Sequence, residues 1–144
     1  MNRFIKNAAV LGAATVLSAG ISTSAYAAET TAFRVSYGNS VATGKLTWHN
    51  RSVSFSGNNH VASGCRLVNF TAWAPDGSIT SGSSSKLCVG MEADGTRPFA
   101  GTLDFSSVVG GPSEVLVAYS VSEDGGVGWQ TKDSVRCYRN SGCS

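Results

Sequence analysis

Two histidines, His49 and His60, carry the side chain best suited to acid–base chemistry near neutral pH. Both stand beside turn residues, and His60 has Ser63 close by in the chain. A Ser-His-Asp set needs a geometry that closeness in sequence does not supply, and the G-x-S-x-G nucleophile motif does not occur in this sequence. We therefore interpret both histidines as exposed loop residues and expect a protein that is not an enzyme.

Acidic residues offer two further candidate sites. Glu92, Asp94 and Gly95 resemble part of a calcium-binding loop, but the flanking sequence lacks the other ligands of an EF-hand. Asp104 follows a strand-like segment and would serve a glycosidase only if the fold set it at a defined distance from Glu92 or Asp94. The sequence favours turns at Glu92–Gly95, with no cofactor and no metal site.

Four cysteines follow residue 60, at Cys65, Cys88, Cys137 and Cys143. No C-x-x-C motif occurs and the histidines fall outside zinc-finger spacing, so the even number indicates disulfides in an oxidising compartment. Three connectivities are open. We favour Cys65–Cys88 and Cys137–Cys143 because each closes a local loop, and the first would contribute roughly 3 kcal/mol in the chain-entropy model.

Residues 1–27 have the layout of a secretory signal peptide. Arg3 and Lys6 precede an apolar run over residues 8–21, and Ala25-Tyr26-Ala27 follows as an A-x-A cleavage site. The run is shorter than the ~20 residues that cross a bilayer as a helix, although a membrane anchor or a core helix is the alternative interpretation. We expect cleavage after Ala27 and a secreted, extracellular protein of residues 28–144.

The charge balance argues against two classes of partner. The whole chain has 11 Lys and Arg against 9 Asp and Glu, and the loss of Arg3 and Lys6 leaves nine of each. Nucleic-acid binders carry a basic excess, and proteins that bind anionic membranes carry a basic cluster. We therefore expect neither a nucleic acid nor a membrane as partner.

Short segments of alternating apolar and polar residues recur after residue 32, and this period of two predicts β-strands. Glycine, proline, asparagine and aspartate separate the segments, which is typical of turns. The alternating segments begin at Phe33–Tyr37 and include Leu46–Trp48, Val53–Phe55, Val68–Ala72, Val115–Val121 and a run from Val127 to Cys137 that is broken once.

Seven to nine short strands in about 100 residues predict an all-β, single-domain immunoglobulin-like β-sandwich with two disulfides. The Cys…Trp…Cys spacing of antibody domains is absent, so the term describes architecture only. Ser81–Ser85 is interpreted as a loop or hairpin tip. The predicted core includes Trp48, Phe55, Phe70, Val117 and Tyr119.

Two stretches, FRVSYGNSVATGKLTWHNRSVSFSG at 33–57 and CRLVNFTAWA at 65–74, resemble small secreted proteins of Streptomyces and its relatives. Among these the sequence is similar to the adaptor subunits of umbrella toxin particles. That resemblance implies a small secreted β protein that links a lectin-bearing subunit, which has a degenerate trypsin-like domain, to the alanine-rich repeats of a large toxin subunit. It further implies an N-terminal extension that enters the cleft of the trypsin-like domain.

Two sets of partner-binding residues are predicted. The first is an N-terminal arm at about 28–32, which lacks strand periodicity and would bind by β-augmentation ahead of a strand that begins near Ala32. With the resemblance, this extension would reach from Ala28 to about Arg34. The second is Trp73, which stands before a turn. The first set comprises Ala28, Glu29, Thr30, Thr31, Ala32, Phe33 and Arg34.

The function predicted from these features is a secreted, non-enzymatic protein–protein interaction module. The resemblance implies that this module is an adaptor that links a lectin-type subunit to a large repeat-containing toxin subunit in an extracellular antibacterial complex. Two alternatives stay open. One is an extracellular protease inhibitor that uses a disulfide-tied loop around Cys88–Pro98, and the other is a small carbohydrate-binding domain that uses an exposed aromatic ring.

Overall fold

A computed structural model of the chain describes residues 28–89 and 95–144, which form two antiparallel β-sheets packed face to face. The predicted signal peptide at 1–27, together with Glu92 and Asp94, lies outside the described residues. No helix that could cross a membrane occurs in the part of the chain that the structure describes. The strands are β1 Glu29–Tyr37, β2 Ser40–His49, β3 Ser52–His60, β4 Cys65–Trp73, β5 Ile79–Ser83, β6 Leu87–Cys88, β7 Thr96–Asp104, β8 Glu114–Ser122, β9 Gln130–Tyr138 and β10 Gly142–Cys143.

Sheet A has the strand order β1-β2-β3-β7, and sheet B has the order β10-β9-β8-β4-β5, with β6 also paired to β4. The predicted all-β, immunoglobulin-like sandwich is therefore confirmed. Both predicted disulfides are confirmed as well: Cys65 lies opposite Cys88, and Cys137 lies opposite Cys143. Each joins paired strands within sheet B, whereas the antibody-type disulfide joins the two sheets.

The alternating pattern determines which side chains enter the core. In β8 the side chains of Val115, Val117, Tyr119 and Val121 are buried, whereas Leu116 and Ala118 are only partly covered on the outer face. The five predicted core residues are all buried in one cluster to which both sheets contribute. This burial confirms the period-of-two interpretation at the positions where the sequence pattern is cleanest.

The inner face of sheet A contains a row in which two glycines make room for two aromatic rings. Phe33, Gly44, Gly57 and Phe99 are neighbours across the four strands. A Cβ atom on Gly44 would lie 2.7 Å from Cζ of Phe33, and one on Gly57 would lie 2.8 Å from Cζ of Phe99. The edge-strand rings therefore fold over the central glycines and reach Phe70 of sheet B, with ring centroids 5.7 and 5.9 Å away.

The N-terminal strand begins earlier than the sequence predicts. Strand β1 starts at Glu29, and its residues pair with β2 from Glu29 opposite Trp48 onward. Thr31 is buried, and its hydroxyl accepts a hydrogen bond of 2.9 Å from Trp48 Nε1. The predicted arm at 28–32 is wrong for Glu29–Ala32, because tertiary pairing and this buried hydrogen bond order residues that lack an apolar pattern.

Both edges of sheet A carry features that limit further strand pairing. On β1, the backbone amide of Ser36 donates to Oδ2 of Asp133 at 2.7 Å. On β7, the edge strand on the other side, Pro98 has no amide to offer. The carbonyl of Asp104 on the same strand accepts from the hydroxyl of Thr80 in β5 at 3.2 Å. Side chains of sheet B and a proline thus occupy places where another strand would add.

Candidate interaction surfaces

The residues considered for catalysis do not assemble into a reactive set within the described ranges. Ser54 Oγ lies 3.4 Å from Nε2 of His49, and His60 Nδ1 lies 2.9 Å from the hydroxyl of Thr96. Neither histidine has a hydrogen bond to a described carboxylate. Asp104 instead accepts the amide and hydroxyl of Ser106, which forms a local turn. Among residues 28–89 and 95–144, no three His, Cys, Asp or Glu side chains are grouped as a metal site would need.

Trp73 lies at the end of β4 on the outer face of sheet B, where it is partly exposed. Its register places it in a row across the sheet with Ile79 on one side and Glu114 and then Tyr138 on the other. Ile79 is 60% exposed and Tyr138 is 37% exposed. We call this group, with Arg136, the Trp73 surface.

Charged side chains hold the Trp73 surface in place. The guanidinium of Arg136 lies 5.6 Å from the centroid of the Trp73 ring and forms an ion pair with Glu114. A cation over an indole at this distance is attracted by the ring quadrupole. The surface therefore combines apolar area with a fixed ion pair, a composition that is common where proteins bind one another.

The N-terminal residues reach the same end of the sandwich as Trp73. Oε1 of Glu29 accepts the backbone amide of Asn140 at 2.8 Å, two residues beyond Tyr138. Within the first predicted set, Thr31 and Phe33 are buried and cannot contact a partner through their side chains, while Glu29 is half-buried. The exposed members of that set are Ala28, Thr30, Ala32 and Arg34.

A second surface feature lies at the opposite end of the sandwich, and sequence reasoning missed it. A cleft of about 270 Å³ opens between the end of β1, the β8–β9 loop and the start of β9. We call it the Tyr37 cleft, after a ring that is 41% exposed. Its lining residues are Tyr37, Val121, Glu123, Asp124, Gly128, Gln130 and Lys132.

A buried arginine stands behind the Tyr37 cleft. Arg66 is 2% exposed, and its guanidinium carbon lies 5.7 Å from the centroid of the Tyr37 ring. Its Nη1 donates to the carbonyl of Cys65 at 3.0 Å and pairs with Oε1 of Glu123 at 3.1 Å. Its Nε has no hydrogen-bond partner among the described residues. Glu123 therefore compensates a charge that is costly to bury alone.

Hydrogen bonds also order the loop that forms one wall of the cleft. The hydroxyl of Ser122 contacts Oδ1 of Asp124, donates to the carbonyl of Val127 at 2.6 Å, and accepts the amide of Gly126. The dipeptide Asp124-Gly125 in this loop is typical of a hairpin turn and by itself indicates no cleft. Since Tyr37 and the loop are 86 residues apart in the chain, only their pairing in space reveals the cleft.

Comparison with protein-family models, with curated proteins and with solved structures gives no match for this chain. The surfaces are therefore interpreted from their own chemistry. Two disulfides are consistent with an oxidising, extracellular location.

Proposed function

We propose that this chain is a secreted, non-catalytic protein–protein interaction module that joins two partners, one at each end of the β-sandwich. The observation that carries the proposal is the position of the exposed apolar side chains. Ile79, Tyr138 and Val109 are exposed at the Trp73 end, and Tyr37, Val89 and Val127 are exposed at the cleft end. At the Trp73 end, Ile79 is the direct neighbour of Trp73 across the sheet, and an exposed apolar patch of this kind is typical of interaction sites.

The distance between the two ends suits simultaneous binding. Strand β4 runs from Cys65 to Trp73, and the eight steps of about 3.4 Å between its nine residues separate its ends by roughly 27 Å. Two folded partners that each contact one end therefore need not collide. The strands between the ends are held by ladders in both sheets, so the module would set the distance between its partners.

The finer proposal is an adaptor role, which the resemblance of residues 33–57 and 65–74 to umbrella toxin adaptors supports. In that role the chain would link a lectin-type subunit to a large repeat-containing toxin subunit in an extracellular complex used in bacterial competition. The two-ended arrangement of apolar groups is what such a linker requires. Glu29–Ala32 pair with β2 on one side, so in this fold they would take part in β-augmentation through the outer edge of β1 and not as a free arm.

A capture experiment from culture supernatant tests the proposal. Tagged protein carrying Trp73→Ala and Tyr138→Ala is compared with wild type, with a Tyr37→Ala variant, and with Thr43→Ala, a control on the outer face of sheet A. Mass spectrometry of the eluates identifies the partners. We expect wild type and control to retain two partners, the Trp73-surface variant to lose one, and the Tyr37 variant to lose the other.

Two results would contradict this function. If each variant loses both partners or neither, the two ends do not act as separate sites. If the eluate holds a single protease that the chain inhibits, or a glycan array gives specific binding that Trp73→Ala abolishes, the inhibitor or the carbohydrate-binding alternative is correct instead. The expected adaptor result is a large repeat-bearing toxin together with a lectin.

A further inference from the structure

Lys132, which lines the Tyr37 cleft, lies at a β-bulge between β8 and β9. Along β8 and β9, Tyr119 pairs with Asp133, but the next residue, Ser120, pairs with Thr131. Lys132 is therefore the extra residue of a bulge, a feature that redirects a side chain out of the regular alternation. Its Nζ lies 5.7 Å from the centroid of the Tyr37 ring. In a regular antiparallel ladder Lys132 would have a partner residue in β8, whereas the bulge leaves it without one.

Carboxylates outnumber ammonium groups on the walls of the cleft. Glu123 and Asp124 line it together with a single cation, Lys132. The positive charge of Arg66 behind the wall is paired with Glu123, whose side chain is still 60% exposed. Lys132 forms no ion pair with any described carboxylate, so only its contact with the ring holds its flexible chain in the cleft.

We propose that the Tyr37 cleft binds the guanidinium group of an arginine on a partner protein, and that Lys132 occupies this position in the free protein. The inference rests on the proposed function, because it gives the chemistry by which one of the two ends recognises its partner. Displacement of Lys132 would remove one of the two cations beside the Tyr37 ring. It would leave on the walls Asp124, which has no ion pair among the described residues, and Glu123, which is paired with Arg66.

Arginine fits the cleft better than the alternatives. Its planar guanidinium stacks on an aromatic face and donates two parallel hydrogen bonds to a carboxylate, whereas an ammonium group acts as a point charge. A cleft of about 270 Å³ admits a side chain, while pockets for whole small-molecule ligands are usually ~300–1,000 Å³. An anion would face Glu123 and Asp124. Val127, 70% exposed on the same loop, offers an apolar contact for residues that flank the arginine.

An NMR titration of the intact protein tests the inference. Three probes are compared: N-acetyl-arginine amide, its neutral analogue N-acetyl-citrulline amide, and the anionic N-acetyl-glutamate amide. With the arginine probe we expect saturable shifts of the backbone amides of Tyr37, Gln130 and Lys132. The citrulline and glutamate probes should leave these amides unchanged, and added salt should weaken the arginine effect.

Variants measure the competition by Lys132. We expect Lys132→Met to strengthen binding of the arginine probe about threefold, because the internal cation is gone. Asp124→Asn should weaken it about threefold, as expected for an exposed charge pair. Lys45→Met, which removes an exposed lysine from the outer face of sheet A, is the matched control and should not change the affinity.

The outcomes separate this inference from the proposed function. If the wild-type amides at the cleft do not shift with the arginine probe, or shift equally with citrulline or glutamate, the arginine site is wrong, even if both partners are still captured. If the arginine shifts occur but the capture experiment gives no partner at this end, the site stands as a binding site and the two-partner function fails. The wild-type titration decides without requiring any variant to fold.

Discussion

The ionisation of the Tyr119 side chain is coupled to folding. It is fully buried, its hydroxyl donates to Oδ1 of Asn59 at 2.8 Å, and removal from water raises its pKa to about 12, with nearby Arg66 acting in the opposite direction. In the unfolded chain the phenol titrates near its ordinary value of 10.0. The folded protein therefore favours the neutral phenol, and stability is lost only when alkaline conditions ionise the unfolded state first.

We expect the free energy of unfolding to be unaffected by this group below pH 10 and to fall between pH 10 and about 12. The loss amounts to about 3 kcal/mol, because the pKa of the phenol is about two units higher in the folded protein than in the unfolded chain and each unit corresponds to about 1.4 kcal/mol. Tyr119→Phe should abolish this part of the alkaline loss. At neutral pH the same change should cost about 1–2 kcal/mol, because Asn59 loses its donor.

Denaturant titrations across the alkaline range measure both effects. Tyr138→Phe serves as the control, because Tyr138 lies exposed at the other end of the sandwich and its hydroxyl has no hydrogen bond within the described residues. An alkaline loss of the same size in wild type and in Tyr119→Phe would show that another group carries the effect.

At the scale of the element, strand β1 changes the expected result of shortening the chain. The sequence alone predicts that removal of Ala28–Thr31 leaves folding intact and weakens partner binding. In the structure that removal deletes the pairing of Glu29–Thr31 with Leu46–Trp48 and takes away the acceptor for the Trp48 indole. We expect a stability loss of about 2 kcal/mol or more, from an unsatisfied buried donor and lost apolar contact.

Thermal or denaturant unfolding of the shortened protein checks this expectation. Thr31→Val isolates the hydrogen bond, since it keeps the shape and removes the acceptor, and should account for about 1 kcal/mol. Thr30→Val, on the exposed side of the same strand, is the matched control. A shortened protein as stable as wild type would restore the free-arm interpretation.

Periodicity predicted the strands that have one fully apolar face, and it failed where small polar residues form a strand. Val115–Val121 and Val68–Ala72 alternate clearly and lie within β8 and β4. Ser81–Ser83 belong to β5, although the sequence favours a loop there, because pairing with β4 orders residues that have little side chain to bury. The run predicted from Val127 begins as a strand only at Gln130.

The candidate sites show the same limit. Trp73 could be selected from its residue type and the turn beside it, and its role as a contact residue stays a prediction. The Tyr37 cleft depends on the β8–β9 bulge and on Arg66 reaching behind a distant tyrosine, and neither contact leaves a pattern in the sequence. Local spacing therefore revealed one surface, while the other required the fold.

At the scale of the whole molecule, one buried cluster contains side chains from both sheets, and Phe70 of sheet B stacks on Phe55 of sheet A with centroids 4.0 Å apart. We expect residues 28–144, with disulfides intact, to unfold in a single cooperative transition. Trp48 in sheet A and Trp73 in sheet B allow each sheet to be followed separately.

Fluorescence of variants in which Trp48 or Trp73 is replaced by Phe, in a Trp129→Phe background, gives the two readouts, and far-ultraviolet circular dichroism gives the third. The midpoints should coincide within each variant. Separate midpoints for circular dichroism and fluorescence within one variant would mean that the sheets unfold as independent units.

The edges of sheet A affect how the protein behaves at high concentration. Exposed strand edges are templates for cross-β fibrils, and here the amide of Ser36 is bound by Asp133 while Pro98 interrupts the opposite edge. Growth of a fibril by addition of copies to sheet A is thus disfavoured at both sides. Under the proposed function, these two edges would limit pairing between copies of the chain through sheet A while the aromatic groups at the two ends stay accessible to partners.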